Sequence, residues 1–204
     1  MYTRLLFLLS LAFALYGAKA QNTETEYLFG NKSSYAVGGF GGPLLMITPF
    51  ENTLALYSGG GGGLIVNGRF SLGGYGMGLA TDHLVSQSLS GSKDYLSFGH
   101  GGLWVGYNTD PNKVVHFSTQ LLLGGGSASL DRYRNGEFIA ERSEKGTLVL
   151  IPMVGAEMNL VSWFKMGIMA GYQYVGDSNR ATVFNNLNAP VLQLQFKFGF
   201  FAER

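Results

Sequence analysis

A strict alternation of apolar and polar residues is the feature that most constrains the fold of this chain. In Leu192–Phe200, leucine or phenylalanine occupies every second position, and Gln, Gln, Lys and Gly fill the positions between them. Successive side chains of a β-strand point to opposite faces, so this segment has one apolar and one polar face. Beyond residue 34, no window of the sequence keeps the 3.6-residue period of an amphipathic helix. The alternation therefore predicts an all-β fold.

Eight segments of the sequence carry this alternation and are separated by turn or loop signals. The predicted strands are Tyr35–Ile47, Thr53–Val66, Arg69–Thr81, Tyr95–Asn108, Val114–Leu130, Leu148–Leu160, Phe164–Tyr174 and Leu192–Phe200. Short turns alternate with longer polar connections. The turns are Asn67–Gly68, Thr109–Asn112 and Leu160–Trp163, and the longer connections are Asp82–Asp94, Asp131–Gly146 and Gly176–Pro190. This order predicts an eight-stranded antiparallel up-and-down barrel, a form that occurs both in water and in membranes.

The less apolar face of the predicted strands decides between a soluble, lipocalin-like barrel and a membrane barrel. Charged residues make up only 13% of the sequence, whereas glycine occurs 31 times and fills much of that face. A face so poor in solubilising side chains suits the narrow interior of an eight-stranded barrel, and the apolar face then meets lipid. We therefore predict a transmembrane β-barrel with periplasmic turns and termini and with external loops.

Aromatic residues fall near the ends of the predicted strands, as in the interfacial girdles of membrane barrels. The predicted periplasmic rim contains Phe70, Tyr107, Trp163, Phe164, Phe200 and Phe201. The predicted outer rim contains Tyr95, Tyr172 and Tyr174. This distribution favours the membrane barrel.

The first twenty residues have the pattern of a secretory signal peptide. Arg4 is followed by the apolar run Leu5–Tyr16 and by Ala18-Lys19-Ala20, which matches a small-x-small cleavage site. The apolar run is shorter than the ~20 residues that a membrane-spanning helix needs. We expect cleavage near Ala20, a short polar periplasmic lead-in at residues 21–34, and the barrel at residues 35–204.

Charge and cysteine content exclude several functions. The sequence has 14 Lys and Arg against 13 Asp and Glu, without the basic stripe of a nucleic-acid-binding protein. We therefore expect no nucleic-acid partner. The sequence has no cysteine, which excludes disulfides, thiolate metal sites and cysteine nucleophiles.

Four glycine-rich or aromatic motifs resemble one known family. They are GGFGGP at Gly38–Pro43, NGRFSLGGYGMGL at Asn67–Leu79, VVHFSTQLLLGGG at Val114–Gly126 and FKFGFF at Phe196–Phe201. These runs are similar to those of small glycine-rich outer-membrane β-barrel proteins of Gram-negative bacteria, a family without an assigned activity. The resemblance implies a fold and a location, and it carries over no catalytic residue. The closing aromatic strand also resembles the signal for the outer-membrane barrel-assembly machinery, although the chain ends Ala202-Glu203-Arg204.

Three charged residues lie in the less apolar phase of the last three predicted strands: Glu157, Lys165 and Lys197. Unpaired charges in a narrow interior are costly, so we expect these side chains to form a structural charge network inside the barrel. A gated ion path is the functional alternative.

Two weaker polar patterns involve histidine. His116 and Ser118, with Asp131 downstream, resemble the His-x-Ser pair of outer-membrane lipid A deacylases. Along one strand, however, Ser118 and Asp131 lie ~40 Å apart. His100 and His116 are candidates for sharing a metal ion, but two histidines without a third ligand are a weak signal. We expect hydrogen-bonded interior histidines, with no metal, no cofactor and no catalytic residue.

The glycine runs have two interpretations. Gly59–Gly63 and the alternating Gly74, Gly76 and Gly78 superficially match phosphate-binding loops, but no helix follows either run. We interpret them as small residues that let strands pack around larger neighbours. The apolar phase also changes within Phe70–Met77, and a bulge at Gly73–Gly74 is expected to keep Tyr75 and Met77 facing lipid.

Together these patterns predict a monomeric outer-membrane barrel of structural or surface-interaction type rather than an enzyme. We expect a plugged interior and external loops that contact lipopolysaccharide, a partner or a surface. A lipid A deacylase-like hydrolase and a narrow pore are the alternatives.

Overall fold

The computed structural model describes residues 35–50, 53–81, 83–87, 92–134, 137–143, 146–176 and 187–201. The predicted signal peptide and lead-in lie outside these residues. The described ranges contain ten strands: β1 (Val37–Phe50), β2 (Thr53–Val66), β3 (Phe70–Leu79), β4 (His83–Gln87), β5 (Ser92–Asn108), β6 (Val115–Arg134), β7 (Glu137–Ser143), β8 (Thr147–Val161), β9 (Phe164–Gly176) and β10 (Ala189–Phe200). Within the same ranges, no helix has the length and apolarity to cross a membrane.

The strands close into an eight-stranded antiparallel barrel, which confirms the predicted fold. β4 pairs with β5 beside β3, and β7 pairs with β6 beside β8, so these short strands continue barrel strands rather than adding new ones. The pairs β1–β10 and β5–β6 close the sheet. Each of the eight predicted strands overlaps one strand of the closed barrel.

The register is staggered by ten residues around the barrel, from His116 to Gly126 on β6. The row of cross-strand neighbours that joins them is His116, Glu157, Gly167, Gln195, Leu44, Gly59, Met77, His100 and Gly126. A stagger of this kind tilts the strands against the barrel axis. One row of side chains therefore climbs from one rim of the barrel towards the other.

Alternate residues face the interior and the outside, as the sequence predicts. On β10, Gln193 and Lys197 are buried, whereas Leu192, Phe198 and Phe200 are exposed. β6, β8 and β9 keep the predicted phase as well. The outward face of the described strands carries many exposed large apolar side chains, and the interior holds both polar and large apolar side chains.

Strand β3 contradicts the predicted bulge. Its register with β2 and with β5 runs without a shift through the glycine pair. Phe70 and Leu72 face outward, but Tyr75 and Met77 are buried inside the barrel. The interior accepts these side chains because it is lined by aromatic and apolar groups, and the Tyr75 hydroxyl meets His100 Nδ1 there at 3.2 Å.

Two predicted loops contain strand. β6 continues to Arg134, which pairs with Ser92 of β5 and with Glu137 of β7. The described parts of Asp82–Asp94 and Asp131–Gly146 therefore belong to a ribbon of four strands in the order β4-β5-β6-β7, here called the rim ribbon. An antiparallel ladder can face water, so the strands continue where their residues become polar and charged. Of the third predicted loop, residues 177–186 lie outside the described ranges.

Tight turns lie at the opposite end of the barrel. Asn67 and Gly68 have φ angles of 53° and 67°, as the predicted hairpin turn requires. In the next turn, Lys113 Nζ lies 2.8 Å from Asp110 Oδ2. This hydrogen bond and the charge of Lys113 hold the pKa of Asp110 below its usual value.

Aromatic side chains lie near the strand ends, as predicted, and one of them points inward instead of outward. Phe70 and Tyr107 are neighbours at the rim near the tight turns, with ring centroids 5.0 Å apart. Phe201 lies at the same rim, but it is only 2% exposed, because its ring packs inside the barrel below Lys165. The prediction that Phe201 belongs to the lipid-facing girdle of the periplasmic rim is therefore wrong.

Candidate functional site

The three charges predicted to lie inside the barrel are all buried. The exposed fractions of Glu157, Lys165 and Lys197 are 1%, 1% and 2%. Lys197 Nζ donates a charge-assisted hydrogen bond to Glu157 Oε2 at 2.5 Å. These three residues, with Asn108, His116 and Gln195 around them, are called the charge cluster below. Its role in stability stays a prediction.

The two lysines of the charge cluster are direct neighbours across β9 and β10. Lys165 pairs with Lys197 in the register, and like charges placed opposite each other destabilise a sheet. Glu157 lies in the adjacent row on β8, opposite Gly167. The carboxylate is therefore placed where it offsets the repulsion between two ammonium groups.

Aromatic rings complete the surroundings of both ammonium groups. Lys197 Nζ lies 5.1 Å from the ring centroid of Phe40 and 5.3 Å from that of Trp104. Lys165 Nζ lies 4.5 Å from the ring centroid of Phe201. Rings at these distances attract cations, and the attraction increases when water is excluded. The charge cluster thus combines one carboxylate and two ammonium groups with aromatic walls.

Neutral donors converge on the Glu157 carboxylate. Asn108 Nδ2 donates to Oε1 at 3.4 Å and Gln195 Nε2 donates to Oε2 at 3.4 Å. His116 Nε2 lies 3.6 Å from Oε1. Sequence reasoning missed Asn108 and Gln195 as members of this cluster. The available signal was their phase, since both occupy inward positions of their strands near the tight-turn end.

The His-x-Ser pair does not assemble into a catalytic relay in this geometry. His116 Nδ1 lies 3.2 Å from the Lys113 carbonyl oxygen and Nε2 faces Glu157, so both ring nitrogens are directed to groups other than Ser118. Ser118 is 2% exposed and faces the interior, away from the outward surface. Asp131 lies on β6 rather than in the predicted loop, and it is ~40 Å from Ser118 along that strand.

The two candidate metal-binding histidines are separated along the barrel. β5 and β6 pair as expected, but His100 lies opposite Gly126, ten residues along β6 from His116, or ~33 Å. His100 is surrounded by three rings with centroids 5.5–5.8 Å away: Tyr57, Tyr75 and Phe98. Among the described residues, no group of three or more His, Asp and Glu could hold a metal ion.

The glycine-rich strands leave space for a large interior ring. A Cβ atom at Gly61 would lie 3.0 Å from the ring of Trp104 and 2.8 Å from the Gly74 carbonyl oxygen. Trp104 is 1% exposed and packs edge-on against Phe40, with ring centroids 5.2 Å apart. The glycine run of β2 continues as strand up to Val66, so it lacks the helix N-terminus that a phosphate-binding loop needs.

Comparisons with solved structures find barrels of known fold, whereas no family model and no curated protein matches the chain. Ail of Yersinia pestis, in complex with the heparin analogue sucrose octasulfate, has a TM-score of 0.52 at 12% identity and covers 82% of this chain and 100% of its own. The N-terminal β-barrel domain of Pseudomonas aeruginosa OprF has a TM-score of 0.51 at 12% identity and covers 79% and 97%. Neisserial surface protein A has a TM-score of 0.50 at 11% identity and covers 82% and 97%.

The fold is that of small outer-membrane β-barrels. This agrees with the fold implied by the resemblance of the glycine-rich motifs. At 11–12% identity the likeness concerns the fold alone, so the function has to be argued from the residues of this chain.

Proposed function

We propose that this chain is an outer-membrane β-barrel protein of structural or surface-interaction type, delivered by a signal peptide that is cleaved near Ala20. The observation that carries the proposal is the apolar outward face of the barrel. Leu72, Leu103, Val154 and Ile168 are each more than half exposed, on four different strands. A soluble monomer rarely exposes an apolar surface of more than a few hundred Å². A closed barrel, in contrast, satisfies its backbone groups within a bilayer.

Large buried side chains support a plugged interior. Trp104, Tyr57 and Phe98 head the fully buried side chains of the described residues by volume. The interior of an eight-stranded barrel is just wide enough to be filled by side chains. The barrel therefore has a structural role and presents its rims to other molecules, and it does not act as a pore.

The rim ribbon is the proposed interaction surface. β6 has 20 residues, about twice the 9–11 that cross a bilayer, so its end projects from the membrane. The sequence of this end and of β7 carries Arg132, Arg134 and Arg142 together with acidic residues. Ail, which shares the fold, was crystallised with a sulfated heparin analogue. Arginines on a projecting ribbon give this chain groups that recognise the phosphates of lipopolysaccharide.

The closing strand is the proposed contact for the barrel-assembly machinery. Phe198 and Phe200 face outward on β10, so the aromatic side chains of the closing strand are accessible to such a partner. β1 and β10 close the sheet within one chain, so the barrel is complete without a second copy, which supports a monomer.

Extraction from cells tests the proposed location. We expect the mature protein to stay in the membrane fraction until detergent is added, because its outward face is apolar. We also expect the unheated sample to migrate differently from the boiled one on a denaturing gel, since a closed barrel resists unfolding by the detergent. Recovery of a folded monomer in buffer without detergent would contradict the proposal and favour a soluble, lipocalin-like barrel.

Surface labelling tests the proposed orientation. The sequence has no native cysteine, so single cysteines can be placed at Asn112 in a tight turn and at Asn135, which follows β6 in the sequence. A membrane-impermeant maleimide should label Asn135→Cys on intact cells, whereas Asn112→Cys should react only after lysis. The reverse pattern would place the rim ribbon in the periplasm and remove the proposed interaction surface.

A further inference from the structure

An apolar groove of about 520 Å³ crosses the outward wall of the barrel. Its main row consists of outward neighbours on five successive strands: Phe70, Tyr107, Thr119, Val154 and Ala170. With strands about 4.8 Å apart, four steps give a groove ~19 Å long. A second groove of about 240 Å³ begins at Ala170 and continues past Leu192 and Ile47. The first groove, with a volume of about 520 Å³ over ~19 Å, is therefore long and narrow.

The outward wall of a barrel is convex, and the groove forms where small side chains lie between large ones. Ala170 and Thr119 have short side chains, whereas Phe70 and Tyr107 form a wall of two rings, 5.0 Å apart, at one end. Pro152 lies beside this row and has no N–H to donate. The ladder between β8 and β9 is formed by pairs on either side of Pro152, at Leu150–Tyr174 and Met153–Gly171.

The groove offers almost no polar group to a ligand. The Thr119 hydroxyl donates to the Tyr107 carbonyl oxygen at 3.4 Å, which uses the hydroxyl within the wall. Gln120 turns its amide inward, where Nε2 lies 3.7 Å from Met153 Sδ. No charged residue lines the groove in the described part of the chain. The part of an occupant that lies in the groove must therefore be apolar.

We propose that this groove binds one acyl chain of a phospholipid from the periplasmic leaflet. The inference rests on the proposed function, because it requires the outward face to meet lipid, and the groove is continuous with that face. Phe70 and Tyr107 adjoin the tight turns, which the proposed orientation places at the periplasmic rim. The length of ~19 Å is close to the ~15 Å depth of one leaflet, so one chain lies obliquely along the row. The phenol of Tyr107 is suited to the boundary between acyl chains and headgroups.

Native mass spectrometry of the detergent-solubilised full chain, titrated with palmitoyl-oleoyl phosphatidylglycerol, tests this site. We expect the wild type to retain one phospholipid. Thr119→Phe and Ala170→Phe fill the groove from two strands and should each weaken retention at least tenfold. Ile168→Phe is the matched control, because it adds a ring to the same face of β9 two residues from Ala170 and outside the groove. It should change retention by less than twofold.

Equal retention by Thr119→Phe, Ile168→Phe and the wild type would overturn the groove as a lipid site. A stronger preference for lipopolysaccharide than for phosphatidylglycerol in a parallel titration would overturn the choice of leaflet. Heat-modifiable gel mobility of every variant reports whether the barrel is folded. A barrel that is folded in detergent but shows no groove-dependent retention refutes this inference alone, whereas a barrel that is folded without detergent refutes the proposed function.

Discussion

Replacement of Trp104 by alanine is expected to lower the free energy of unfolding by about 3–5 kcal/mol, the usual cost of removing a large aromatic side chain from a core. Trp104 is 1% exposed and contacts the ring of Phe40 edge-on. Its ring also lies 5.3 Å from Lys197 Nζ. The bare backbone at Gly61 fits against this ring and cannot fill the space that the alanine leaves. The variant therefore loses packing and a cation–π contact together.

Urea titration in detergent micelles, followed by heat-modifiable gel mobility, measures this loss without relying on tryptophan fluorescence. Trp163→Ala is the matched control, because Trp163 is the other tryptophan of the sequence and is 58% exposed on the outward face. Its replacement leaves the interior packing intact. Conductance across planar bilayers adds a second readout. We expect the wild type to be silent and Trp104→Ala to show current, since the substitution removes the largest buried side chain. Either an unchanged urea midpoint for Trp104→Ala or a conducting wild type would contradict the plugged interior.

The orientation of most strands could be predicted from the sequence because lipid imposes a simple rule. Outward side chains in the bilayer must be mainly apolar, so the leucines and phenylalanines of Leu192–Phe200 mark the outward face of β10. Strand β3 shows where the rule fails. Tyr75 and Met77 are large and mainly apolar, like Phe70, but they fill the interior, while Gly74 and Gly76 face outward. A narrow barrel also needs large interior side chains, so hydrophobicity alone cannot assign the face of a glycine-rich strand.

The strand ends could not be predicted because the rule stops at the membrane surface. Between Asp131 and Gly146, eight of sixteen residues are charged, which is typical of a loop. The backbone nevertheless continues as the β6–β7 pair, because ladder hydrogen bonds form between backbone groups of any residue type. Local composition describes the solvent around a segment better than it describes its secondary structure.

Membership of the charge cluster was predictable in part. The inward phase of Glu157, Lys165 and Lys197 follows from alternation on three strands. The neutral donors depend on the register between strands that are distant in sequence, since Asn108 of β5 reaches Glu157 of β8 across β6. A single sequence contains no direct information on that register. The cation–π contacts of both lysines require the same information.

Replacement of Glu157 by glutamine is expected to lower the free energy of unfolding by about 3–5 kcal/mol, the typical cost of breaking a buried ion pair from one side. Glutamine keeps the size of the side chain but removes its charge. Two buried ammonium groups, which lie opposite each other in the register, are then left without the carboxylate. The amide also has one acceptor oxygen instead of two, so it cannot accept from both Lys197 and Asn108 as the carboxylate does. Urea unfolding in detergent micelles gives the shift in midpoint.

Two further variants separate this charge effect from a general loss of packing. Asp110→Asn removes a carboxylate from an exposed pair with Lys113 and should leave the midpoint unchanged, since exposed ion pairs contribute little. Adding Lys197→Met to Glu157→Gln should recover part of the lost stability, because it removes one stranded charge and keeps an apolar chain between the rings of Phe40 and Trp104. If the two substitutions in the charge cluster were simply additive, Glu157 and Lys197 would not be coupled. An unchanged midpoint for Glu157→Gln would mean that water solvates the carboxylate, and the charge cluster would then be better explained as part of a hydrated path than as a structural element.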